Sequence, residues 1–245
     1  MRRLPSRRIP FQVRIFLIGA AGGVGAATTQ RLKQSGAEVI LAGRNQEKLA
    51  ALGSSYTVLD ATDFDAVSQA VQEAGLIDGI VNCAGSILLK PAHLTSEREF
   101  RDTIDLNLKT AFAAVRAGAQ AMMHTGGSIV LCATAAARTG FANHEAIAAA
   151  KAGVIGLTLS AAASYAPRNI RVNCVAPGLL DTPMSARITQ NETALKASQA
   201  MHALGRIGRP DDVASAICWL LNPDNSWVTG QVIGVDGGLA TVRAR

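Results

Sequence analysis

Residues 13–18, Val-Arg-Ile-Phe-Leu-Ile, run directly into Gly19-Ala-Ala-Gly-Gly-Val-Gly25, and a helical stretch then continues to Gln34 before Gly36 stops it. An apolar strand, a glycine turn and a helix form the opening unit of a parallel sheet whose strands are buried on both faces. Gly19 allows the tight turn, Gly23 lets the backbone approach a pyrophosphate, and Gly25 lets the helix sit close to the strand. The N–H groups of the helix start, around Val24, offer a partial positive charge to phosphate. The spacing is GxxxGxG rather than GxGxxG. A turn of this kind takes its meaning from the rest of the chain.

Downstream, the alternation repeats. A second strand over 38–42 ends in Gly43-Arg44-Asn45, at the place where an acid would hold the ribose 2′-hydroxyl of NAD(H). No acid is present. Arg44 is read as the partner of a 2′-phosphate, which favours NADP(H), or as a solvated arginine opening the next helix. A third strand over 56–59 leads to Asp60-Ala61, where the carboxylate is read as an acceptor for an adenine amino group or as a cap for the helix from Asp63. A fourth, over 79–81, enters Asn82-Cys-Ala-Gly85, in which Ala84 and Gly85 leave room for a flat ligand. A long helix over 97–123 carries Asn107 within an apolar face. A buried amide needs partners, so Asn107 is read as a helix-bending group or as a water-binding site residue. The strand 128–132, the helix 142–165, the strand 170–176 with Pro177-Gly178, a mobile helical lid over 185–203, a helix from Asp211 to Leu221 and a last strand before Asp236 complete the chain. Strand–helix alternation throughout gives the α/β class: one domain over 13–245, a doubly wound parallel sheet flanked by helices.

Composition agrees. In 245 residues, 49% are hydrophobic and only 4% aromatic, which suits an aliphatic core under a buried sheet. No unbroken apolar run approaches the roughly 18–20 residues of a spanning helix, so the expectation is a soluble protein with no membrane partner. The formal net charge is +6, yet Arg2, Arg3, Arg7, Arg8 and Arg14 stand in the first 14 residues with no acid among them. Residues 1–12 are therefore read as a basic, flexible extension, and no nucleic-acid partner is assigned. Cys83, Cys132, Cys174 and Cys218 lie far apart in sequence, with no CxxC pair. They are read as small core residues in a reducing cytoplasm, and no metal site is expected.

Taken in order, these motifs resemble the short-chain dehydrogenase/reductase family over residues 13–238, with a Rossmann-type fold. Gly19-x-x-x-Gly23-x-Gly25 is similar to its cofactor turn, with Ile18 in place of the usual threonine. Asn82-Cys-Ala-Gly85 looks like its Asn-Asn-Ala-Gly element, Asn107 like its helix asparagine, and Pro177-Gly178 through Thr182 like the segment along the nicotinamide. Arg206-Ile-Gly-Arg-Pro-Asp-Asp-Val213 and Val235-Asp236-Gly237-Gly238 resemble the 3-oxoacyl carrier-protein reductase branch most. The resemblance implies a homo-oligomer, tetramer or dimer, and a catalytic set of Asn, Ser, Tyr and Lys. The lysine would be Lys151, which would also hold the cofactor. Counted back from it, the serine position holds Thr134 and the tyrosine position holds Ile147.

Isoleucine moves no proton. His144 lies seven residues before Lys151, about 20° away around a helix and roughly 10 Å along its axis. It is read as a relocated proton donor, since imidazole can donate at neutral pH, or as an exposed histidine at the cleft rim. Enoyl carrier-protein reductases of the same superfamily place tyrosine seven before the lysine, a layout that His144 resembles. Three readings stay open: an NADP(H)-dependent reductase of a carbonyl or an activated C=C bond with a relocated donor; a silent cofactor-binding subunit or regulator; and a lyase or isomerase. Met184, Leu195 and Met201 in the lid suggest a partly apolar small-molecule substrate.

Overall fold

The computed structural model describes residues 13–242; the basic extension of residues 1–12 lies outside the described residues. Seven parallel strands form one sheet in the order β3-β2-β1-β4-β5-β6-β7. They are β1 (Arg14–Ile18), β2 (Glu38–Gly43), β3 (Tyr56–Val58), β4 (Gly79–Asn82), β5 (Gly127–Cys132), β6 (Ile170–Pro177) and β7 (Val232–Val235). The order reverses between β1 and β4, so a crevice opens at their carboxyl ends, where open α/β sheets bind ligands.

The helices are α1 (Gly23–Gln34), α2 (Gln46–Ala50), α3 (Phe64–Glu73), α4 (Glu97–Ile104), α5 (Thr110–Met122), α6 (Glu145–Tyr165), α7 (Ala186–Thr189), α8 (Glu192–Met201) and α9 (Pro210–Leu221). Two cores sandwich the sheet. Ile15, Leu17, Leu41, Val81, Val130 and Val175 face α1 and α9. Phe16, Ile18, Ile80, Ile129, Leu131 and Val172 face α3, α5 and α6. Alternating side chains from buried strands thus fill both layers, as a parallel sheet requires.

Four expectations need correction. Asp60 does not cap α3; Asp63 does, accepting the N–H groups of Asp65 and Ala66. The long helix over 97–123 is interrupted by a π turn at Asp105–Lys109, around Asn107. The helix expected from 142 starts at Glu145, with His144 as its cap in a non-helical conformation. Lastly, the helical segment Glu145–Arg168 has the length and hydropathy of a membrane span, although no unbroken apolar run predicted one. Here α6 packs on β6 and α5, with Val154, Thr158, Ala161 and Ala162 buried.

Candidate active site

The glycine turn forms the floor of the crevice. Gly19 has φ +78°, and a Cβ there would come within 2.4 Å of the Ala84 nitrogen; at Gly25 it would come within 2.3 Å of the Gly19 carbonyl. Only a side-chain-free backbone fits this crossing of β1, β4 and α1. Gly23 differs from expectation: the space a Cβ would fill is bordered by the Thr182 methyl at 2.8 Å rather than left open. Gly23, Val24, Gly25, Ala84, Gly85, Pro177, Gly178 and Thr182 line a crevice of about 350 Å³. Its far arm runs past Gly19, Arg44, Asp60 and Ala61.

Asn82 is placed otherwise. Its side chain is buried beneath the crevice, donating to Thr110 Oγ1 at 3.2 Å and accepting the Ala84 N–H at 3.1 Å. It shapes the turn from below and does not border the opening. Asp60 accepts the N–H and hydroxyl of Thr62, both at 2.9 Å. These bonds, with Arg44 and Lys109 nearby, hold its carboxyl below the usual carboxylate range. Lys48, one helical turn after Arg44, borders both arms of the crevice. Sequence reasoning missed it because a lysine early in a polar helix reads as a solvated face; its spacing of four from Arg44 was the available signal.

Two polar groups converge on Gly85. A Cβ there would lie 2.9 Å from Asn107 Oδ1 and 3.3 Å from Lys151 Nζ. Asn107 is fully buried and satisfied: its Nδ2 donates to Thr103 O at 2.9 Å and Ser86 Oγ at 3.0 Å, and its Oδ1 accepts the Ser86 N–H. Of the two readings of Asn107, the helix-bending one is seen here: the π turn carries the amide to the crevice wall. Lys151 is buried, donates to the Cys132 carbonyl at 2.8 Å, and burial lowers its pKa. One bond leaves two ammonium donors for a ligand in the crevice.

Beside the crevice lies a second hollow of about 320 Å³, lined by Leu89, Phe141, His144, Ile188, Met201 and His202. Ile87, Thr134, Ile147, Gly178 and Leu179 border both spaces. Thr134 Oγ1 accepts the Ala136 N–H and lies 3.5 Å from Pro177 O. The Nδ1 of His144 is 2.8 Å from Ala142 O, so Nδ1 carries a proton. Nε2 forms no hydrogen bond among the described residues. His202, which sequence reasoning did not single out, is the other histidine of this wall. Its Nδ1 meets Ser198 O at 2.6 Å and its Nε2 accepts the Leu179 N–H at 3.3 Å. Nδ1 is bound within α8 and Nε2 ties the end of α8 to the segment after β6, which leaves neither nitrogen for chemistry. Tyr56 and Tyr165, the two tyrosines of the chain, border neither space.

Among the described residues no cluster of three His, Cys, Asp or Glu could hold a metal. The cysteines, far apart in sequence, are not all far apart in the fold: Cys83 and Cys132 stand side by side with sulfurs 3.9 Å apart.

Comparison with known proteins places this geometry among redox enzymes. A family model described as enoyl-(acyl carrier protein) reductase matches residues 19–240. The 3-oxoacyl-[acyl-carrier-protein] reductase of Thermotoga maritima is 38% identical over 239 residues, covering 91% of this chain and 96% of that protein. A short-chain type dehydrogenase/reductase from Mycobacterium ulcerans superposes with a TM-score of 0.89 at 31% identity, over 95% of this chain and 91% of its own. An actinorhodin polyketide ketoreductase variant, crystallised with NADPH, reaches 0.88 at 25% identity, over 94% and 98%.

Proposed function

Because the chain belongs to the short-chain dehydrogenase/reductase family, close to the 3-oxoacyl carrier-protein reductase branch, we propose that it is an NADP(H)-dependent reductase of a carbonyl or a conjugated C=C bond whose proton donor is His144. The observation that carries the reading is the junction of the crevice and the apolar hollow at Thr134 and Ile147, with Lys151 on one side and His144 on the other.

The residues fit the dinucleotide. The crossing at Gly19 and Gly25 admits no side chain, and the start of α1 offers free N–H groups to phosphate. Arg44 and Lys48 offer two positive charges to a 2′-phosphate, Asp60 an acceptor to the adenine, and Lys151 its free donors to the nicotinamide ribose. When bound, the nicotinamide supplies or accepts the hydride.

The chain's own residues divide the remaining work. The hydroxyl of Thr134 hydrogen-bonds the substrate oxygen, Lys151 orders water at the crevice wall, Asn107 braces that wall through Ser86, and His144 delivers a proton from Nε2 of the imidazolium. Ile147 cannot take part; it presents a hydrocarbon surface between donor and lysine. Reduction of a conjugated C=C bond suits this layout, because the proton goes to the α-carbon or the enolate oxygen rather than to a carbonyl oxygen beside the hydride acceptor. Ile87, Leu89, Phe141 and Met201 fit a partly apolar substrate. Assembly as a dimer or tetramer and a cytoplasmic setting belong to the same reading and rest on the family resemblance.

The test is NADPH consumption by purified protein against matched saturated and α,β-unsaturated ketones, with NADH in parallel. Turnover on the enones, with preference for NADPH, is the expected result. NADPH bound with no turnover on either series would favour a silent, cofactor-binding subunit.

A further inference from the structure

Asn82 pairs with Leu131 at the end of the parallel β4–β5 ladder. The next residue on each strand is a cysteine, so register alone brings Cys83 beside Cys132. Neighbouring parallel strands lie about 4.8 Å apart, inside the roughly 4.4–6.8 Å Cα separation that a disulfide spans. The sulfurs are 3.9 Å apart, and both residues border the crevice while remaining half-buried. The Cys132 carbonyl anchors Lys151 Nζ, and the Cys83 backbone carbon lies 2.6 Å from where a Gly19 Cβ would stand. A bond between these sulfurs therefore tugs on the glycine turn and on the lysine together.

The chemistry of the four thiols is unequal. Burial pushes the Cys174 thiol up to about 12 and the Cys218 thiol up to about 11. The Cys83 thiol is also raised, by its hydrogen-bonding contact with Cys132, in which either sulfur can donate, and by desolvation. Cys132 is lowered, by its hydrogen bond with Cys83 and by the positive charge of Lys151. The thiolate is the nucleophile, and Cys132 is the thiol whose surroundings favour it.

We propose that Cys83 and Cys132 form an oxidisable dithiol in the crevice floor, closed to a disulfide by hydroperoxides and shielded by a bound dinucleotide; the shielding rests on the cofactor assignment proposed for the crevice. The Cys132 thiolate attacks one peroxide oxygen, the O–O bond breaks, and the departing alkoxide takes the proton that Cys132 gave up and leaves as an alcohol. Cys132 is then a sulfenic acid. The Cys83 sulfur attacks the sulfenic sulfur, the S–O bond breaks, and the hydroxide leaves with the Cys83 proton as water. Two thiols lose two electrons, and one peroxide is reduced to alcohol and water. The sulfurs close from 3.9 Å to about 2.0 Å.

The four cysteines fall on four different tryptic peptides, with Cys83 on 49–98 and Cys132 on 117–138. Reduced full-length protein is exposed to hydrogen peroxide for timed intervals, blocked with N-ethylmaleimide and mapped by mass spectrometry without reduction. The expected product is a cross-link between those two peptides that is reversed by dithiothreitol and appears at least tenfold faster than modification of Cys174 or Cys218. In Cys83→Ser the cross-link is lost and Cys132 stops at sulfenic or sulfinic acid. Saturating NADPH slows the cross-link at least tenfold. Cys83 and Cys132 staying alkylatable while other thiols react, or while none reacts, would overturn the disulfide. NADPH affinity of the reduced protein is measured separately by nucleotide fluorescence. Binding without protection would overturn the shielding. Absence of binding would overturn the cofactor assignment and the shielding with it, and the peptide map alone would then decide the disulfide.

Discussion

Arg44 and Lys48 concentrate the cofactor question in two side chains. A hydrogen bond to a charged group contributes about 1.5–3 kcal/mol, which is about 10- to 100-fold in affinity. Arg44→Ala is therefore expected to raise the NADPH dissociation constant by about that factor and leave NADH almost unchanged, with a smaller effect from Lys48→Ala. Nucleotide fluorescence titration checks it; equal losses for both nucleotides would mean that Arg44 supports the fold and does not read the 2′ position. At this scale much was legible, because Gly19, Gly25, Arg44 and Lys151 each carry a chemical reason tied to a local turn or a fixed offset. What escaped was proximity across the chain. Cys83 and Cys132 are 49 positions apart and meet only through strand register. Ser86, which completes the shell of Asn107, and His202, which joins the lid to the segment after β6, became visible for the same reason only once the strands were in order.

Elements deliver these residues. The segment between β4 and α4 carries Ile87 and Leu89 into the hollow and is tied down by Lys90, whose N–H reaches the Asn143 carbonyl at 2.8 Å and whose ammonium pairs with Glu99. Glu99 also closes the capping box of α4 with Ser96. Lys90 and the Ser96 donors hold its carboxyl at about 2, below its ordinary 4.5. A lowered carboxylate pKa contributes stability that is present above the unfolded value and lost as pH falls through the folded one. Thermal melts should show wild type above Glu99→Gln at neutral pH, with the gap closing between about pH 4.5 and 2. A gap independent of pH would assign the contribution to something other than this charge. Glutamine keeps the capping box, so the comparison isolates the titrating group. Strand positions were legible to within a residue or two because parallel strands are continuous apolar runs. The π turn at Asp105–Lys109 was not, since one extra residue in a helical turn barely changes the apolar pattern around Asn107. Nor was the start of α6, where Phe141-Ala-Asn-His144 contains no sharp stop; Asn143 instead breaks the helix with φ +64°.

The whole molecule sets where the chemistry can occur. The order β3-β2-β1-β4-β5-β6-β7 is compatible with strand–helix alternation and right-handed crossovers, and it puts the glycine turn, Gly85 and Pro177 at one edge of the sheet. The doubly wound parallel class was readable from the chain; the strand order was not, because more than one order satisfies right-handed crossovers. The second hollow was not, because it exists only where α7 and α8 fold back over the segment after β6, and side chains of a lid say little about the space beneath it. The hollow brings His144 to the same junction as Thr134 while Ile147 separates it from Lys151, which makes a relocated donor the central claim. The direct test is a single turnover of bound NADPH with an α,β-unsaturated ketone, comparing wild type with His144→Ala. General acids contribute about 10²–10⁴-fold. With water as a substitute donor, hydride transfer in the variant is predicted to slow at least tenfold, with NADPH affinity unchanged. An unchanged rate in His144→Ala would contradict the relocated donor, leaving water held by Thr134 and Lys151 as the proton source.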